Sequence, residues 1–352
     1  MTDLEFERSL VLLHVSNASE AMIRELLDAG LLLLDRNPRR AEALFGFASE
    51  TVERLARLPA ALAHSLRGLA EKGRANALRM TGRYEDALRA LERSERELAA
   101  ARYCRRELAY ARYCRAAVLF KMERWVEAYR AVHGARSLFE AQHDRAGVVN
   151  CDILKACITL EWGELDRARE MFLALRKTIE ARRDYRRLAD LWMNLVVCDL
   201  RRGDTFEAGL WLGRAMRKFR ELGLASEVTR GRWCGATLAL AQGQRTHAVR
   251  EFRAAAEEFE ELGMPMDAAF VKLELLGELV DEKKWREAEP IALSLASLFL
   301  KAGVGPSAAT ALDYLRETVK GRSADRDVVR RVRRHIRRVE VFPDERFTEG
   351  PA

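Results

Sequence analysis

The chain has 352 residues, 49% of them apolar and 33% charged, a balance that excludes a disordered polymer and predicts a folded chain with a sizeable core. Its net charge is +7, and its longest apolar run, residues 291–300, is well short of the roughly 20 residues a membrane span needs. Ala, Leu, Glu and Arg dominate, all good helix formers, and the few prolines are expected between helices.

Residues 1–21 read as an N-terminal lead-in with a short helix in DLEFERSLVLLHV; its acids Asp3, Glu5 and Glu7 carry the wrong charge for a secretion leader. A repeat occupies residues 22–305. Its first unit places Ala41 after a turn at Asn37-Pro38, and the phrase GRYEDAL then recurs in altered form along the chain. Its alanine is a marker at Ala87, Ala128, Ala168, Ala208, Ala248 and Ala288, with spacings of 41, 40, 40, 40 and 40. These are seven units. Residues 306–340 read as a degenerate eighth hairpin ending in a basic helix, with Val328 falling 40 residues after Ala288, and residues 341–352 as an irregular tail.

Each unit has the same interior. Five residues before the marker is a turn position, held by Gly82, Gly163, Gly203 and Gly243, by Glu123 and Lys283, and by Arg36 in the first unit. Glycine fits there because a helix commonly ends on a left-handed residue. Four residues past the marker the side chain is bulky in most units (Phe45, Leu91, Val132, Phe172, Leu212, Phe252), and seven past it is small (Ala48, Ser94, Ala135, Ala215, Ala255). Those offsets share one helical face. Twelve before the marker small residues recur, at Ala29, Ala75, Ala116, Ala156 and Ala236. Small residues at both positions let two antiparallel helices approach closely, and larger ones fill the space between hairpins. One such hairpin cannot bury its apolar face alone, so neighbours must stack. A second glycine series, Gly223, Gly263 and Gly303, marks the turns between hairpins.

Residues 75–94, ANALRMTGRYEDALRALERS, carry the small-x-x-Leu-x-x-x-Gly-x-Tyr-x-x-Ala-x-x-x-Phe-x-x-Ala pattern almost completely. The chain thereby resembles the tetratricopeptide repeat (TPR), in a long variant with a period of 40 instead of about 34 residues. The resemblance implies an all-α fold: a right-handed α-solenoid of antiparallel helical hairpins. It also implies a concave wall built from the first helix of each hairpin. On that register Lys72, Asn76, Arg79, Tyr110, Tyr113, Asn150, Met193, Asn194 and Trp233 are the expected peptide-binding residues. Amides hold a peptide backbone by donating and accepting at once, and aromatics anchor at low entropy cost. Some members clamp a carboxylate with Lys and Asn on one helix, Asn on the next and a basic pair on the third. Lys72 and Asn76 match the start, but Cys114, Asn150 and Leu154 stand where the rest should be, so that ligand is not expected.

The implied function is a non-enzymatic scaffold or adaptor, cytoplasmic, binding a protein or peptide without a cofactor. No catalytic residue and no metal ligand set is expected, since the histidines are scattered, no phosphate-binding loop is found, and the six cysteines make no C-x-x-C pair. The alternative is a regulatory sensor. Residues 316–338 hold ten basic and three acidic residues, an excess equal to the whole chain's net charge. Val328, Val329, Val332, Ile336 and Val339 give that segment one apolar face. Arg330, Arg331, Arg334, Arg337 and Arg338 would then meet an anionic target, nucleic acid or acidic protein. No aromatic interleaves with them, and a nucleic-acid partner is not favoured.

Overall fold

The computed structural model describes residues 19–34, 37–55, 58–302, 306–339 and 347, without the side chains of 296, 300–302, 306, 307, 337 and 339. The expected lead-in helix, Arg36, Gly303 and all of the tail but Phe347 lie outside the described residues. The described residues form sixteen α-helices and no strand. In chain order they are α1 (Glu20–Leu33), α2 (Pro38–Arg54), α3 (Ala60–Met80), α4 (Tyr84–Ala100), α5 (Arg105–Lys121), α6 (Trp125–Ala141), α7 (Arg145–Glu161) and α8 (Leu165–Ala181). They continue as α9 (Tyr185–Arg202), α10 (Thr205–Glu221), α11 (Ala225–Ala241), α12 (Arg245–Glu261), α13 (Pro265–Asp281), α14 (Trp285–Ala302), α15 (Pro306–Lys320) and α16 (Arg326–Val339). The chain divides into two compact units, residues 1–158 and 159–352.

The forty-residue period is two helices of about seventeen residues and two three-residue turns. Most of these turns are cut to one pattern, the four-residue turn between α4 and α5 being an exception. After α5, the Arg124 N–H donates to the Leu119 carbonyl at 3.0 Å and the Glu123 N–H to that of Phe120 at 3.1 Å. After α9, Asp204 and Gly203 repeat this to Asp199 and Leu200 at 2.9 and 3.1 Å. These paired bonds satisfy carbonyls that a helix end otherwise leaves open, and they require one left-handed residue. Gly203 supplies it at φ 81° without strain, whereas Glu123 and Lys283 adopt φ of 55° and 57° with a side chain in place. The turns between hairpins use Gly223 and Gly263 as expected, but also His143 and Arg183 at φ 53° and 55°.

The marker alanines are fully buried in every unit, and so are Ala75, Ala116, Ala156 and Ala236 opposite them, at no more than 1% exposure. Between the first and second hairpins the approach is closer still: a Cβ at Gly73 would fall 2.4 Å from the Phe45 ring. In unit 1 the chain packs α1 on α2, α2 on α3, α3 on α4, α4 on α5 and α5 on α6. In unit 2 the same succession runs from α8 through α14, and α15 packs on α14 and α16. A further series, not apparent from the marker phrase, stands eleven residues past it at Leu98, Phe139, Ile179, Phe219, Phe259 and Phe299, each at most 1% exposed. One expectation fails: Pro290 lies inside α14, not between helices. It sits on an exposed position early in that helix, so its ring meets solvent and the lost N–H costs one bond.

Buried charge also holds the hairpins together. The Asp199 carboxylate is 0% exposed, and accepts from Arg169 Nε at 2.8 Å, Arg202 at 3.3 Å and Trp211 Nε1 at 3.1 Å. It thereby ties α8, α9 and α10 at one point. Asp199→Ala leaves Arg169 with Glu207 and Arg202 with Asp166 but removes the buried acceptor that joins the three helices, and should lower unfolding stability by about 3 kcal/mol in urea titration. The turns make a second prediction. Gly203→Ala should cost about 1 kcal/mol, and Lys283→Gly should gain up to about that much, read as opposite shifts in thermal midpoint.

Candidate partner-binding surface

In unit 1, Lys72, Asn76 and Arg79 follow one another at offsets of four and three along α3, so they form one stripe. The Lys72 ammonium pairs with Glu107 at the start of α5 and lies 5.8 Å from the centre of the Tyr110 ring. Tyr110 itself meets Phe139 edge-on at 4.7 Å, which commits one edge of its ring to the hairpin core. Asn76 lies near the Cys114 thiol, the residue that interrupts the expected amide series. Burial pushes that thiol and the Tyr113 phenol above their ordinary values, so both face Arg79 as neutral groups. Arg79 Nε is buried without a hydrogen-bond partner among the described residues. Asn150, on α7, is half-buried. The structure therefore gathers Lys72, Asn76, Arg79, Tyr110 and Tyr113 on the adjoining faces of α3 and α5.

In unit 2 the corresponding face belongs to α9, α11 and α13. Asn194 is half-exposed and makes no side-chain hydrogen bond among the described residues. Met193 packs on the cluster of Ala189, Ala215 and Phe219. Trp233 meets Phe259 edge-on at 6.4 Å, so it too is partly used by the fold.

Beside them runs a charged ladder that the repeat pattern did not single out. Arg186 approaches Asp190 at 3.4 Å and Glu227 at 3.9 Å, and Arg230 approaches Glu227 at 3.0 Å and Asp267 at 3.6 Å. Three carboxylates thus share two guanidiniums. Burial, with Glu227 adding to it, outweighs Arg186 and pushes Asp190 up to about 6. One signal was present in the sequence: Glu227 and Asp267 stand forty residues apart.

On α16 the predicted anion-binding residues divide. Arg330, Arg334 and Arg338 are exposed, Arg331 is half-buried, and the side chain of Arg337 lies outside the described residues. Arg330 pairs with Asp327 at 3.3 Å. Elsewhere, burial pushes the thiols of Cys151, Cys198 and Cys234 up to about 12, 11 and 11, which keeps them protonated.

No protein-family model and no curated protein matches the sequence. Solved structures match the fold. The Rap conjugation gene regulator of plasmid pLS20, in complex with the Phr* peptide, aligns at a TM-score of 0.53 and 12% identity over 89% of this chain and 74% of that one. A Rap protein complexed with competence and sporulation factor gives 0.52 and 12% over 90% and 100%. A signal-transduction ATPase with a tetratricopeptide-repeat sensor from Pyrococcus horikoshii gives 0.52 and 14% over 97% of this chain and 50% of that one. The fold is a TPR-like α-solenoid of helical hairpins. Within the TPR-like frame, the residues above lie on the first helix of each hairpin.

Asp190 gives this surface a pH signature. A carboxyl raised in the folded state favours folding only while protonated, so its contribution is present at low pH and lost as pH rises from about 4 through about 6. Asp190→Asn should therefore raise the melting point at pH 7 and change it little at pH 4, an effect moderated by the solvent that still reaches this carboxylate.

Proposed function

We propose that this chain is a non-enzymatic scaffold or adaptor that holds a protein or peptide segment against the first-helix face of its TPR-like hairpins. The observation that carries this is polar capacity left unused by the fold. Asn194 has no side-chain hydrogen bond among the described residues, and Arg79 Nε is buried without one. Asp190 and Glu227 share the Arg186 guanidinium at 3.4 and 3.9 Å. Groups kept against the interest of folding mark binding surfaces. The two similar Rap structures, bound to the Phr* peptide and to competence and sporulation factor, support a binding role for such a surface. None of the six cysteines is in a disulfide among the described residues, which fits a reducing compartment, the cytoplasm. Those with the strongest upward shifts are protonated and poor nucleophiles.

One observation favours the second reading, a sensor acting through its basic helix: Arg330, Arg334 and Arg338 are exposed at successive turns of α16. Replacing all three by glutamine should then abolish retention on an anionic resin at moderate salt, with melting unchanged.

The first reading is tested by partner capture from the native cell, with mass spectrometry to name what is held. Asn194→Ala breaks no bond of the fold and should leave the melting point unchanged. It should weaken the captured partner between about twofold and tenfold, the worth of one hydrogen bond. Asn76→Ala should weaken it similarly, with a small stability loss from the Cys114 contact. Undiminished capture by the double variant would remove the first-helix face from consideration.

A further inference from the structure

The eighth hairpin departs from the repeat. In the earlier hairpins a first helix lies beside the next first helix, as α1 lies beside α3 and α9 beside α11. At the end of the chain a second helix, α16, packs across α13. Its seat has an apolar and an ionic layer. Val329, Val332 and Ile336 are at most 3% exposed, and Val329 covers Gly277, where a Cβ would come within 3.9 Å. Glu274, Glu278 and Asp281 form one stripe along α13, at offsets of four and three. Arg333 pairs with Glu274. Arg326 pairs with Glu278 and, at 3.1 Å, with Asp281. From α12, Arg245 holds the same two carboxylates at 3.0 and 3.7 Å. Arg326 and Arg333 are two helical turns apart, which matches the length of the stripe.

The seat is not equally tight throughout. A half-open surface pocket of about 320 Å³ lies among Leu240, Gly243, Arg245, Glu278 and Arg326. Close packing is therefore incomplete where α16 begins, and guanidinium–carboxylate attraction holds that end. We propose that this face of α13 is a binding site for an arginine-bearing amphipathic helix, and that α16 is its intramolecular occupant, exchangeable with a partner helix of the same chemistry. The partner would carry apolar residues at the spacing of Val329, Val332 and Ile336, with arginines spaced like Arg326 and Arg333. The proposal rests on the first-helix face being a binding surface and names the partner for its seventh hairpin.

Two physical points favour exchange over simple release. Among the described residues α16 packs mainly on α13 and α15, fewer helices than an interior one meets, so it opens at lower free energy. Yet Glu278 is 1% exposed, and losing Arg326 would leave that buried carboxylate with Arg245 alone, so the face does not stay empty. Only an occupant with the same guanidinium pattern restores the balance.

The test uses the full chain and a fluorescein-labelled peptide of residues 323–340, SADRDVVRRVRRHIRRVE, followed by fluorescence anisotropy. In the Arg326→Gln/Arg333→Gln chain the resident helix is weakened, and the peptide should bind roughly tenfold tighter than to the wild-type chain. The gain should vanish when the peptide carries the same two glutamines, or when Glu274→Gln is added to the chain. Equal affinity for variant and wild-type chains, or affinity indifferent to the peptide's two arginines, overturns the proposal. Should the variant fail to fold, hydrogen exchange on the wild-type chain decides. Excess peptide should raise exchange across residues 326–339, and unchanged exchange overturns the proposal equally. Neither measurement involves Asn76 or Asn194, so failure here leaves the general scaffold reading standing.

Discussion

How closely two helices approach is set by the largest side chain at their crossing, and in four hairpins of this chain that side chain is a methyl group. Fully buried marker alanines at forty-residue intervals stand opposite Ala75, Ala116, Ala156 and Ala236, with Val196 and Leu276 at the same position in two other hairpins. The volume they leave is filled one turn along by Phe45, Phe172 or Phe252, and near the helix end by the series from Leu98 to Phe299. The arrangement is intolerant in both directions. Enlarging the alanine forces the helices apart, and truncating a phenylalanine opens a cavity that stacking cannot close. The recurring turns follow from the same constraint. Helices held at one distance, with three residues to reverse direction, have few backbone solutions, and the left-handed one is strong enough to be imposed on Glu123, His143, Arg183 and Lys283. Glycine eases that solution but does not create it.

A second device overlies the first. Three carboxylates on first helices, Glu71, Asp199 and Glu278, are at most 6% exposed, and each is held by arginines from other helices. Apolar contact is indifferent to which hairpin meets which, since the units are so alike. A buried carboxylate is not indifferent, because it tolerates only a neighbour that brings guanidinium groups to the right place. In a chain of near-copies, such contacts favour the correct order of neighbours over shifted ones. Glu71 and Glu278 stand outside the motif and Asp199 replaces its leucine, so the ordering information is carried where the repeat is silent or broken.

That division explains what was legible in the sequence. The hairpins, their turns and their packing alanines recur, and recurrence is visible without a structure. The faces of the first helices do not recur, because a binding surface must differ from unit to unit. Lys72, Asn76 and Arg79 were placed on one stripe by register alone, and the structure sets them beside Tyr110, Tyr113 and Cys114. The same register could not show that Tyr110 and Trp233 spend ring edges on Phe139 and Phe259. Nor could it show that Asp190 shares Arg186 with Glu227, a contact between helices about forty residues apart in sequence. Pair contacts between non-recurring residues need coordinates.

The terminal hairpin shows the converse. Its sequence loses the alanine, glycine and tyrosine of the repeat, which by itself reads as decay at a chain end. The structure gives the loss a cause: α16 packs on α13 as well as on its own partner α15, so the small-residue spacing of an ordinary hairpin has no purpose there. What replaces it is a valine and isoleucine face with arginines at the pitch of an acidic stripe. The positive charge that dominates this end of the sequence is accordingly of two kinds. Arg326 and Arg333 neutralise buried or half-buried acids and belong to the fold, whereas Arg330, Arg334 and Arg338 face solvent. A helix with both kinds of arginine is electrically satisfied only while docked, and it is this asymmetry, not the bare count of basic residues, that makes its seat on α13 the most informative contact in the chain.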